Sequence, residues 1–89
     1  MLTLGEIQRL MSKLDNWSLE ENSIVKVFNF TNFKEALEFL KKVGEAVEKL
    51  EHEPDVVMRG GSLRLSLSTH SEGGLTKKDF EAAEEIDKI

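Results

Sequence analysis

The chain contains two histidines, His52 and His70, and neither cysteine nor tyrosine. Imidazole is therefore its only side chain whose ordinary titration falls between pH 5 and 8. Around the two rings stand groups that can assist a proton transfer. Glu53 adjoins His52, Ser68 and Thr69 precede His70, and Asp79 follows it at the start of the last helical stretch. Imidazole can give or take a proton near neutrality, and a carboxylate can orient it. Such a set suits acid–base chemistry that needs no redox cofactor. No metal is expected, because adjacent residues such as His52 and Glu53 rarely chelate together. Plainer uses exist for each group: a surface imidazole, a carboxylate favoured by a helix dipole at Asp79, a solvated Glu53. The chemistry requires a fold that brings the two histidines together.

The elements that must do this are legible in the spacing. Leu4, Ile7, Leu10, Met11 and Leu14 recur at helical intervals, and Thr3 with Glu6 has the capping-box spacing, which predicts a helix over about 4–13. Residues 17–20 and 23–30 read as two strands. Phe33, Ala36, Leu37, Leu40, Val43, Val47 and Leu50 form one stripe, which predicts a helix over about 32–50 capped by Asn32 and stopped by Pro54. Residues 55–59 and 62–69 are strands about Gly60-Gly61, a hairpin signal because both glycines can take positive φ. In the later strand Leu63, Leu65 and Leu67 face one way and Arg64, Ser66 and Ser68 the other. Gly73-Gly74 turns the chain, and Thr76 caps a final helix with Asp79 at its third position. The order αββαββα predicts an α+β fold: a four-stranded antiparallel sheet with the helices on one face.

The hairpin makes a geometric claim. With Gly60 and Gly61 as turn residues, Arg59 pairs with Ser62, and the same register carried outward sets Glu53 opposite Ser68 and His52 opposite Thr69. Diagonal neighbours across such a ladder lie about 7–8 Å apart. Glu53, Ser68 and His70 therefore lie on the face away from the leucines, with His52 next door. Both histidines converge on one neighbourhood, and Asp79 follows close behind.

Composition narrows the partners. At 89 residues there is room for one domain, here 1–89, with 39% apolar and 33% charged residues. Apolar runs reach only three residues, far short of the about 20 of a membrane-spanning helix. The start of the chain lacks the pattern of a signal peptide, so the cytosol is the expected location. With a net charge of −5 and scattered basic residues, direct binding to nucleic acid is not expected. A chain this short buries only around 60% of its unfolded surface alone, and residues 62–69 offer a long edge; both favour a homo-oligomer.

Two blocks of sequence go further. Glu48-x-x-x-His52-Glu53-Pro54-Asp55 and Leu67-Ser68-Thr69-His70-Ser71-Glu72-Gly73-Gly74-Leu75-Thr76-Lys77-Lys78-Asp79 resemble the pterin-4a-carbinolamine dehydratases. The likeness extends to Trp17 and to Phe28 through Ala36. The resemblance implies an enzyme without a cofactor that removes water from a 4a-hydroxytetrahydropterin to give the quinonoid dihydropterin. It implies His52 and His70 as catalytic histidines, one acid and one base, with Asp79 as the helix aspartate. It also implies Glu48 as the upstream acid and Trp17 beside the pterin pocket, with Ser68 and Thr69 in the substrate-binding set. Two positions depart: the family's second consecutive histidine is Glu53 here, and a hairpin aromatic is Gly60. The same resemblance implies a dimer or tetramer. It also offers an alternative role, a protein-binding module for assembly or transcription that has lost the chemistry.

Overall fold

The computed structural model describes residues 2–89. Its elements are α1 (Leu4–Met11), β1 (Ser18–Glu20), β2 (Ser23–Asn29), α2 (Phe33–Glu48), β3 (Asp55–Arg59), β4 (Ser62–Leu67), a 3-10 turn (His70–Glu72) and α3 (Lys77–Asp87). The strands form one antiparallel sheet in the order β1-β2-β4-β3. This is the α+β arrangement that the pattern of the sequence predicts.

The alternation in β4 builds the core. Leu63, Leu65 and Leu67 are fully buried, joined by Ile24 of β2, Val43 and Val47 of α2, and Phe80, Ala83 and Ile86 of α3. Burying each leucine contributes about 1.5–3 kcal/mol, and cutting Leu65 to alanine would cost about 2–5 kcal/mol. Phe39 of α2 sits on the sheet with its ring centroid 4.7 Å from Phe28 and 5.2 Å from Phe30. Helix α1 has no fully buried residue; Ile7, Leu10 and Met11 lean on the core from its edge.

Local chemistry sets the element ends. Glu6 N–H donates to the Thr3 hydroxyl while Thr3 N–H donates to the Glu6 carboxylate, and Asn32 accepts from Glu35 N–H at the start of α2. The far end of α2 differs from expectation. It stops at Glu48, well before Pro54, and the chain leaves through Glu51, whose φ of 51° is left-handed. Only Gly60 of the hairpin pair has positive φ, 57°. Gly61 is required for space: a Cβ there would lie 2.2 Å from the Phe30 carbonyl oxygen.

Candidate functional site

The β3–β4 register runs as the hairpin predicts from Arg59↔Ser62 to Asp55↔Ser66 and ends there. It does not extend to the expected His52–Thr69 pair. Thr69 instead bridges to Gly74, each N–H donating to the other's carbonyl at 3.1 and 3.2 Å. The reason lies in the turn after α2: residues 51–54 curl away from the ladder, and Gly73, at φ 72°, folds the 70–73 loop back on Thr69. The neighbourhood survives by another route. His52, Glu53, Ser68, Thr69, His70 and Lys78 line one open cleft of about 360 Å³.

Behind His52 the cleft rests on a buried carboxylate. Asp79 is 0% exposed, and its Oδ1 lies 2.5 Å from His52 Nε2. Its Oδ2 accepts from the Thr69 hydroxyl at 2.8 Å and from Thr76 N–H at 2.9 Å. The Thr69 and Thr76 hydroxyls are themselves 2.9 Å apart. A carboxylate removed from water needs donors on both oxygens, and here it has three. Its position in the first turn of α3 adds the favourable end of the helix dipole.

The two histidines are held differently. The His52 side chain is 13% exposed and pinned to Asp79. That of His70 is 84% exposed; its Nε2 lies 3.4 Å from Ser68 Oγ and 3.9 Å from Asp55 Oδ2. Glu53 is exposed at the cleft mouth. Glu48 does not line this cleft. It faces an adjoining, mainly apolar cavity of about 520 Å³ with Val43, Val47 and Pro54, and His52 and Glu53 border both spaces. Each volume falls within the about 300–1,000 Å³ usual for small-molecule sites.

Trp17 is not brought to the cleft. It is buried in the core, and its indole N–H donates to Asp87 Oδ1 at 2.9 Å. Thr69 is placed at the cleft, and its hydroxyl is engaged by Asp79 and Thr76. Sequence reasoning passed over Lys78 as a cleft residue, and it read Thr76 as a helix cap without its contact to Thr69. The helical spacing that puts Lys78 next to Asp79 in the first turn of α3 was the available signal for the first. For Thr76 it was the capping position itself.

Comparison with known proteins finds likeness over the whole chain. The family model described as Pterin 4 alpha carbinolamine dehydratase matches residues 1–89. A protein of Sulfolobus acidocaldarius, named "Putative pterin-4-alpha-carbinolamine dehydratase", is 44% identical over 96% of this chain and 93% of its own length. A Chloroflexus aurantiacus protein of the same name is 42% identical over 99% of this chain and 95% of its own. The crystal structure of a transcriptional coactivator/pterin dehydratase from Brucella melitensis superposes with a TM-score of 0.90 at 29% identity, covering 98% of this chain and 95% of that one. With the family model matching residues 1–89 and relatives of 44% and 42% identity spanning nearly the whole chain, the chain belongs to the pterin-4a-carbinolamine dehydratase family.

Proposed function

We propose that the chain is a hydro-lyase that dehydrates a 4a-hydroxytetrahydropterin to the quinonoid dihydropterin, as one catalytic domain spanning 1–89. The observation that carries this reading is the convergence of His52 and His70 on one cleft with a buried carboxylate behind the first. In the reaction the C4a–O bond breaks and the hydroxyl leaves as water after taking a proton from an acid. The proton on N5 passes to a base as the C4a=N5 bond forms. No electrons enter or leave, so the protein needs only an acid, a base and a pocket.

The geometry suits those parts. His52 and His70 are the acid–base pair, and Asp79 orients His52. Ser68 lies within reach of the His70 ring, and Glu53 at the mouth serves as an accepting carboxylate for a polar edge of the pterin. Glu48 serves the apolar chamber beyond His52. Dehydration of synthetic carbinolamine, followed by absorbance, tests the reading. Turnover above the uncatalysed rate supports it, and a rate equal to buffer alone rejects it.

A second reading as a partner-binding module draws on the coactivator named in the Brucella melitensis structure and on exposed apolar side chains. Phe33 is 54% and Leu37 37% exposed on α2, and Val56 on β3 is 41% exposed. A homo-oligomer covering those residues serves either reading. Light scattering coupled to gel filtration distinguishes monomer, dimer and tetramer. No described helix is long and apolar enough to cross a membrane, in keeping with a cytoplasmic enzyme acting on a free pterin.

A further inference from the structure

The buried network behind the cleft has a direction, and the direction decides which nitrogen of His52 can react. Thr76 N–H is a fixed donor and points at Asp79 Oδ2. The single hydrogen of the Thr69 hydroxyl also goes to Oδ2. Having spent its proton, the Thr69 oxygen must accept from the Thr76 hydroxyl 2.9 Å away. Every donor in the group thus runs toward Asp79, from Thr76 through Thr69 and from the Thr76 backbone. With two donors on Oδ2 holding Asp79 as a carboxylate that has no proton of its own to give, the contact at Oδ1 has to be donated by His52 Nε2–H.

The other ring nitrogen is free. Among the described residues Nε2 is the only His52 ring atom with a partner, and no buried polar side-chain atom lacks one. Nδ1 of His52, having none, is therefore not buried, and the ring borders both the cleft and the adjoining cavity where a small ligand could reach it. We infer that Thr69 is a positioning residue: with Thr76 it fixes Asp79 as an acceptor and thereby locks His52 as the Nε2–H tautomer, leaving Nδ1 as the proton-accepting atom.

The inference rests on the dehydratase reading only for its catalytic consequence. In that setting Nδ1 takes the N5 proton, the imidazolium so formed is paired with Asp79, and His70 protonates the leaving hydroxyl. His70 suits the second task because its exposed ring exchanges protons with water between turnovers. The lock itself is a property of the folded chain whether or not the chain turns over.

Long-range proton–nitrogen correlation NMR on the ¹⁵N-labelled protein reads the tautomer directly, at a pH where the ring is neutral. The expected wild-type pattern is a protonated Nε2 and an unprotonated Nδ1. Thr69→Val keeps the shape and removes the hydroxyl; a mixture of tautomers should appear. For dehydration, kcat should fall about tenfold while KM stays within about twofold, the scale of weakened general-base catalysis. Thr69→Ser should restore the wild-type spectrum and kcat. Asp79→Asn should invert the pattern: Thr76 N–H holds the amide oxygen, the amide nitrogen turns to His52, and the proton moves to Nδ1. A wild-type ring carrying its proton on Nδ1, or a Thr69→Val protein with wild-type nitrogen shifts, overturns the inference. A locked tautomer in a protein without turnover would support the lock and reject the functional reading, so the two can fail separately.

Discussion

Helix α3 carries an aspartate in its first turn and another in its last, and the two do opposite jobs. Asp79 is wholly buried and gathers Thr69, Thr76 and His52. Asp87 gathers Trp17 Nε1, Lys26 Nζ and Asp15 N–H, at 2.9, 2.9 and 3.1 Å. The first faces an imidazole ring; the second faces a lysine side chain and an indole. Position explains the choice. A carboxylate is favoured at a helix N-terminus and disfavoured at a C-terminus, so Asp87 needs the compensating cation and Asp79 does not. Lys26 in turn lies over the Trp17 and Phe28 rings, 5.9 and 5.0 Å from their centroids, which joins β2 to the helix end. One end of the helix thus carries the proposed chemistry, and the other fastens it to the sheet.

Substitutions at the two ends should separate activity from stability. The largest effect expected is at the reactive end: His52→Ala or His70→Ala should lower the dehydration rate by roughly 10²–10⁴-fold if each acts as acid or base. Thermal unfolding should show those proteins folded, and a loss under about threefold for both would remove the histidines from the mechanism. At the fastened end, Asp87→Ala should cost about 1–3 kcal/mol in urea titrations, because it strands a half-buried ammonium and an indole N–H. Its activity per folded molecule should remain within about twofold, and a selective loss of kcat would end the division of labour.

Between these lies Glu53. Glu53→His should raise the dehydration rate by up to about tenfold by adding an imidazole at the cleft mouth. An unchanged or lower rate would mean that the carboxylate has its own task.

The smallest effect concerns the cap of α1. The Glu6 carboxyl is held below its ordinary value chiefly by the Thr3 backbone N–H and next by the Thr3 hydroxyl. A depressed acid stabilises the fold above its unfolded pKa, and that contribution fades as pH falls through the folded value. In an NMR titration Thr3→Ala should move Glu6 only part of the way back, since the backbone donor remains. A full return would assign the whole shift to the hydroxyl.

Much of this was readable beforehand, and the failures share a cause. Caps at Thr3, Asn32 and Thr76 were visible because they are local, as was the leucine alternation of β4. The hairpin register held as far as Asp55↔Ser66 because a two-residue turn fixes it. Beyond that point the chain is governed by the left-handed Glu51, which no pattern announces, and by Gly73, whose turn was expected but not its closure on Thr69, so the proposed His52–Thr69 pairing gave way to Thr69–Gly74. Trp17 was set beside the pocket by likeness alone, whereas its partner Asp87 lies 70 residues away in sequence. The complete burial of Asp79 was equally hidden, since a polar first-turn residue usually faces water.

Glu51 has one more consequence. Left-handed backbone is costly for a residue with a Cβ, commonly about 1 kcal/mol or more, and this joint immediately precedes His52, the imidazole proposed as the base. Glycine there would relax the joint and let the following ring swing, so selection for heat resistance at this hinge would trade directly against aim. A thermally hardened descendant of this protein that changes residue 51 should therefore be screened for turnover before it is kept.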